Sequence, residues 1–240
     1  MKKILYSVLS VLLLFLGSAC EKDETSYRAT ANITVINTAS GNDAIKVNPG
    51  AGGGFAYSKA TAIATSGVFG AFTGNNTITV VKATDTTIKL FQRTIDLRPI
   101  STLYIAGTST AIDTIFRTEN NFPYINSSDI NAEKAMYIRF VNLSPNSNTV
   151  NIRIAGNATN EVTNLTYKSI AEFKKYVATT STSDYTFEIM DATNTSVLTS
   201  ITINTNSTRY KTASIIFKGL LDTPESASTD PVSAFQVNYN

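Results

Sequence analysis

Three carboxylates in the last third of the chain come closest to a catalytic arrangement. Asp184, Glu188 and Asp191 lie near each other in sequence, and glycoside hydrolysis needs only two such groups, one as acid and one as nucleophile or base. The 240 residues include no histidine and one cysteine, which excludes histidine-based catalysis and Cys/His zinc sites. Solvated strand and turn positions explain the scattered carboxylates better. We therefore predict that the protein is not an enzyme, with a carboxylate-based glycoside hydrolase as a distant alternative.

Other residue types offer only weak ligand sites. A glycine-rich stretch at 48–54 lacks the Lys and the Ser or Thr that a phosphate-binding loop requires. Asp43 with Asn42, or Asp191 with Asn194, would bring oxygen atoms near a calcium ion, but no EF-hand loop is present. We expect no cofactor and no metal, and the ligand-binding residues stay unassigned.

The single cysteine, Cys20, stands where a lipid would be attached. Lys2 and Lys3 precede an apolar run over 4–16, and small residues at 17–19 precede the cysteine. This run of 13 residues is shorter than the roughly 20 that a membrane-spanning helix needs. The segment resembles a bacterial lipoprotein signal peptide. The resemblance implies cleavage after residue 19 and a lipid on Cys20.

The four residues after Cys20 are all charged. Glu21, Lys22, Asp23 and Glu24 resemble the export signal that directs lipoproteins of Bacteroidetes-type bacteria to the outer face of the outer membrane. We expect a lipid-anchored protein of the outer membrane that faces the cell surface. The periplasmic face is the alternative.

The charge balance argues against a nucleic-acid partner. The chain has 20 basic and 18 acidic residues. Lys2 and Lys3 would leave with the signal peptide, so the mature chain would carry no net charge. Nucleic-acid binding needs a basic footprint, and we predict no such partner.

The mature chain contains an internal repeat. Paired segments in the two halves occur in the same order, which predicts two copies of one domain. Asn37 falls opposite Asn142, and Tyr57 is predicted to fall opposite Tyr167. The paired segments are 33–47 with 138–152, 77–88 with 186–197, and 103–107 with 214–219.

Alternating apolar residues and regular turn signals predict an all-β fold. We expect two tandem antiparallel β-sandwich domains, either immunoglobulin-like or transthyretin-like. The segment 234–240 is predicted as the last strand of the second copy, with 113–119 in that place in the first. The predicted boundaries are a signal peptide at 1–19, a tether at 20–30, sandwiches at 31–120 and 135–240, and a linker at 121–134.

Three segments of the second copy resemble a known family. Residues 141–156, 165–176 and 184–192 resemble the domain-of-unknown-function family 4397, which is common in exported bacterial proteins. The resemblance covers nearly the whole mature chain. It implies paired β-sandwich modules and carries no catalytic residues.

These features together predict a non-catalytic, lipid-anchored module that binds or adheres at the cell surface. An extracellular glycan or protein is the expected ligand, held by loops at one end of a sandwich, including 38–44 and 143–149. The alternative is a pilin-like subunit that assembles by strand addition. It would donate the C-terminal strand or the segment near Arg28.

Overall fold

The computed structural model describes residues 29–41, 44–50, 60–120, 122–125, 128, 134–221 and 230–239. Within these ranges the chain forms sixteen strands and one short helix, α1 (Thr205–Thr208). The strands of the first half are β1 (Thr30–Asn37), β2 (Ile45–Asn48), β3 (Ala60–Thr61), β4 (Thr65–Phe72), β5 (Gly74–Lys82), β6 (Lys89–Leu97), β7 (Ile100–Gly107) and β8 (Ile112–Thr118). Those of the second half are β9 (Ala135–Asn142), β10 (Thr149–Ile154), β11 (Asn160–Thr166), β12 (Lys174–Val177), β13 (Tyr185–Asp191), β14 (Val197–Ile203), β15 (Thr212–Lys218) and β16 (Ser233–Asn238).

The sixteen strands form four four-stranded sheets, two in each half. The first half has the orders β4-β1-β7-β8 and β3-β2-β5-β6, and the second has β12-β9-β15-β16 and β11-β10-β13-β14. The second half therefore repeats the first strand for strand, and the predicted tandem β-sandwich fold is confirmed. An immunoglobulin constant domain pairs its first strand with its second, whereas β1 lies between β4 and β7. The predicted antiparallel pairing holds except between β1 and β7 and between β9 and β15, which are parallel.

One asparagine holds the same turn in each half. Asn37 Nδ2 donates to the Thr61 carbonyl oxygen at 3.2 Å, and Asn142 Nδ2 donates to the Leu165 carbonyl oxygen at 3.0 Å. Each side-chain oxygen accepts from the backbone N–H two residues later. Both side chains are fully buried, so these bonds satisfy polar groups that water cannot reach. The structure thus pairs these two residues as the sequence predicts.

The predicted match of Tyr57 with Tyr167 is wrong. The carbonyls of the two turn asparagines accept from the N–H groups of Ala64 and Lys168, each at 2.8 Å. This register aligns Tyr167 with Ile63. Tyr57 itself lies outside the described residues.

Each sandwich has its own apolar core, and a third core joins the two halves. The sheets β4-β1-β7-β8 and β12-β9-β15-β16, called here the inner sheets, face each other across this third core. Their central strands are buried on both faces: every residue of β15 is buried, and all of β7 after its first residue. Continuous apolar runs are typical of such strands. The buried residues of the third core are Ile36, Tyr104, Ala106, Val141, Leu143, Ile216 and Val237.

A buried charged cluster adjoins this third core. The Arg139 guanidinium binds both carboxylate oxygens of Glu119, at 2.6 and 2.9 Å, and neither side chain is more than 4% exposed. Arg139 Nη2 also lies 2.8 Å from the Tyr104 hydroxyl and 2.9 Å from the Tyr239 hydroxyl. Its Nε donates to Ser214 Oγ at 2.8 Å. One arginine thus connects the second sandwich to two strands of the first.

The environment keeps this arginine charged. Burial alone would lower the pKa of Arg139, but the oxygens of Tyr104, Tyr239 and Glu119 outweigh that effect and raise it. Burial raises the pKa of the Tyr104 hydroxyl well above its usual value. The guanidinium thus has a bidentate carboxylate, two tyrosine hydroxyls and a serine hydroxyl as hydrogen-bond partners, which is what a buried ion pair needs.

Gly219→Ala is expected to destabilise the fold much more than Gly156→Ala. Both glycines have φ above +80°, so a side chain at either costs about 1–2 kcal/mol in backbone strain. At Gly219 the added Cβ would also lie 2.2 Å from the Pro231 carbonyl oxygen, whereas nothing lies within 4 Å at Gly156. We expect a loss of about 3 kcal/mol or more for Gly219→Ala, measured by urea unfolding. Equal losses would contradict the close approach of Pro231 to Gly219.

Glu119→Ala is expected to cost about 3–5 kcal/mol of unfolding free energy, because it leaves the Arg139 charge buried without a counter-ion. Glu172→Ala serves as the control. Its ion pair with Arg117 is 3.0 Å long, but the Glu172 side chain is 83% exposed, so we expect a loss below about 1 kcal/mol. Urea unfolding of both variants measures the difference. Similar losses would show that the buried pair does not stabilise the contact between the sandwiches.

Candidate functional site

The predicted lipidation and export residues lie outside the described part of the chain. These are Cys20 and the four residues Glu21, Lys22, Asp23 and Glu24. Lipidation and surface export therefore stay predictions. Of the predicted linker, the structure describes 122–125, 128 and 134, so its exact boundaries stay predictions as well.

The loops predicted to present ligand contacts are largely buried. In the loop 38–44, of which 42 and 43 lie outside the described residues, Ser40 is 3% exposed and its Oγ donates to Asp230 Oδ2 at 2.6 Å. In the loop 143–149, Leu143 belongs to the third core and Ser144 Oγ donates to the Gly219 carbonyl oxygen at 2.7 Å. These loops hold the molecule together, and only short parts of them, such as Asn146, are exposed.

The three candidate carboxylates have separate structural roles. Asp184 accepts from the Thr205 N–H at 2.9 Å, and Glu188 forms an ion pair with Arg153 at 2.7 Å. Asp191 caps a hairpin turn, where hydrogen bonds from Thr195 and its neighbours lower its pKa to about 2. Asp184 and Asp191 flank strand β13 at opposite ends, about 20 Å apart at the usual rise per residue. They do not form a catalytic pair.

Of the weaker candidates, Asn42, Asp43 and most of the glycine-rich stretch lie outside the described residues, whereas Asn194 and Tyr167 have structural partners. The Asn194 side-chain oxygen accepts from Asn151 Nδ2 at 3.0 Å. Tyr167 donates to Asp113 Oδ2 at 2.9 Å and packs against the third core. Within the described ranges, no three His, Cys, Asp or Glu side chains cluster as metal ligands. Over the same ranges, no helix is long and apolar enough to cross a membrane.

The open surface lies instead along the edge of the first sandwich, between strands β6 and β8. A groove of about 670 Å³ runs there, and strand β8 forms one of its walls. On the other side of β8, a second groove of about 440 Å³ separates this strand from Glu172 and Phe173 of the second half. The first groove, called here the β8 groove, is lined by Arg93, Asp96, Arg98, Phe116, Thr118 and Asn120, among others.

Strand β8 has one unpaired edge. It pairs with β7, and no other described strand pairs with it. The Glu119 N–H donates to the Ile100 carbonyl at the end of this pair. Because N–H groups alternate sides along an antiparallel strand, those of Thr114, Phe116 and Thr118 point toward the open edge. Such an edge can accept an extended chain as a further strand.

The carboxylates that line these grooves all form ion pairs. Asp96 pairs with Arg98 at 2.9 Å, and Glu172 pairs with Arg117 at 3.0 Å. Glu119 is occupied by Arg139. Each carboxylate that lines the two grooves thus has a guanidinium partner.

Little in the sequence indicates this surface. Arg93 and Arg98 are separated by four residues of an ordinary strand pattern, and Phe116 is typical of a core position. These residues line an open surface because the edge strands β6 and β8, which are distant in sequence, leave a groove between them. The equivalent strands β14 and β16 of the second half also pack apolar side chains, such as Leu198 and Ala234, against their core.

In comparisons with known proteins, no family model matches the chain and no curated protein matches it significantly. The resemblance to the domain-of-unknown-function family 4397 therefore stays a prediction.

Proposed function

We propose that the protein is a non-catalytic, lipid-anchored module of the cell envelope that binds an extended segment of another protein in the β8 groove. The observation that supports this most is the unpaired edge of β8 beside an open groove. A strand added to this edge would gain backbone hydrogen bonds, and the groove would take alternate side chains.

The groove chemistry favours a ligand with acidic or polar side chains. Arg93 and Arg98 offer guanidinium donors, and Arg is well suited to bind carboxylates. Thr118 and Asn120 add polar contacts, while Phe116 supplies an apolar surface. An extracellular glycan is the other ligand class. It would use the same donors but would not need the unpaired strand edge.

The second candidate function is assembly into a filament by strand addition between copies. The same β8 edge would then receive a strand from another molecule of this chain. Strand β16, which includes the predicted donor segment, pairs with β15 along its whole length. The segment near Arg28 is therefore the better candidate donor. Filaments that disappear on deletion of 21–28 would favour this function over the binding module.

Reversing the two arginine charges should weaken binding of an acidic extended peptide. We expect the Arg93→Glu, Arg98→Glu double variant to lose at least tenfold in affinity, about 1.4 kcal/mol, because two attractive contacts become repulsive. Fluorescence polarisation with ligands selected from an array of extracellular peptides and glycans measures it. Lys46→Glu, on strand β2 of the same sandwich, is the control and should change affinity little. Equal losses in both variants would place the ligand elsewhere.

Lipidation at Cys20 is tested by the mature N-terminus. Mass spectrometry of the full chain expressed in a suitable bacterium should find an acylated Cys20 as its first residue, because the preceding segment resembles a lipoprotein signal. Cys20→Ser should release the protein from membranes, and protease shaving of intact cells should remove the wild-type chain. A free thiol at Cys20 would refute the anchor. Survival of the protein until the outer membrane is permeabilised would support the periplasmic alternative.

A further inference from the structure

The described chain begins at one end of the molecule, called here the anchor end. Strands β1 and β7 run parallel, as do β9 and β15, and the C-terminal halves of all four meet in the third core. Their N-terminal ends lie together at the other end, where Glu119 donates to Ile100 at the start of β7 and Pro123 accepts from Thr212 at the start of β15. Ala29, the first described residue, is part of this end, where its carbonyl accepts from the Thr73 N–H at 2.8 Å.

Exposed apolar side chains concentrate at the anchor end. Seven large apolar side chains are exposed in the described ranges, and four of them lie here. Tyr124 is 74% exposed, Val177 55%, and Phe72 and Ile100 40% each. Phe72 pairs with the first residue of β1, Ile100 begins β7, and Val177 pairs with the first residue of β9. Tyr124 follows Pro123, whose carbonyl accepts from Thr212 at the start of β15.

Cations surround this apolar surface. Arg98 precedes β7, Lys134 precedes β9, and Arg209 and Lys211 precede β15, and each is at least partly exposed. Among the described residues, two exposed carboxylates are near them. Asp96 is paired with Arg98 at 2.9 Å, and Asp184 accepts from the backbone N–H of Thr205 at 2.9 Å. The described part of the anchor end therefore has an excess of positive charge.

We propose that the anchor end rests on a lipid surface. Phe72, Ile100, Tyr124 and Val177 would lie at the level of the headgroups, and the surrounding cations would attract anionic lipids. The tether supports this orientation, because nine residues from Cys20 to Ala29 span at most about 30 Å. In that respect the inference rests on the proposed lipidation. The apolar and charged surface is an independent observation.

Tryptophan reporters test the orientation, since the chain has no tryptophan of its own. Tyr124→Trp places the reporter at the anchor end. Ile88→Trp places it in the β5–β6 turn at the opposite end, where Ile88 is 43% exposed. Each full-length, lipidated chain is reconstituted in vesicles of phosphatidylethanolamine and phosphatidylglycerol that contain a quencher-labelled lipid. We expect quenching about threefold stronger, and bluer emission, for Tyr124→Trp. Equal quenching of the two chains would overturn the proposal.

A second measurement separates this inference from lipidation. The Cys20→Ser chain, which has no lipid, should co-sediment weakly with the same vesicles at low salt and less at high salt. Adding Arg98→Ser and Lys134→Ser should reduce that binding about thirtyfold, because near an anionic surface each of the two cations contributes about 1 kcal/mol. The matched control adds Lys46→Ser and Lys89→Ser, on strands away from the anchor end, and should bind as before. Absence of binding by the Cys20→Ser chain, or equal loss in both variants, would overturn the proposal even if Cys20 is acylated.

Discussion

The ion pair between Arg139 and Glu119 is the interaction on which the arrangement of the two sandwiches depends. Both side chains are removed from water at the contact between the inner sheets. Burying two charges is costly unless each is fully hydrogen-bonded. Here the arginine finds the carboxylate, two tyrosine hydroxyls and a serine at hydrogen-bonding distance. Separating the sandwiches would leave these groups to be rehydrated and would expose the third core.

This contact determines which surfaces remain for binding. The inner sheets bury each other's outward faces, Ser40 after β1 binds Asp230 of the second half, and Leu143 after β9 packs in the third core. What stays open is the side of the molecule, where edge strands end a sheet, and the end where the tether enters. These two surfaces meet at Arg98, which belongs to both the β8 groove and the anchor end. Neither ligand binding nor membrane contact requires the sandwiches to move apart.

The repeat was predictable from sequence because local turn chemistry repeats. Asn37 and Asn142, the hairpin strands and the last strand of each copy were all placed correctly. The third core was not predictable. In β9, Ile138 and Phe140 alternate with Arg139, and an outward arginine on an amphipathic strand is typical of a solvated face. Its partner Glu119 comes from the other copy, and sequence spacing does not reveal that a second sheet covers the face. For the same reason, the burial of parts of the loops 38–44 and 143–149 could not be predicted from sequence.

When the two halves are aligned strand by strand, the Arg139–Glu119 ion pair has no counterpart at the equivalent positions. Arg139 occupies the position that Thr34 has in the first copy, and Tyr239 occupies that of Glu119. In a symmetric dimer of identical single domains, each interface residue occurs twice, so one arginine facing one glutamate would bring a second such pair with it. Joining both copies in one chain removes that restriction. Duplication thus permits the two copies to carry different interface residues. The first sandwich is then complementary to the second sandwich and not to another copy of itself.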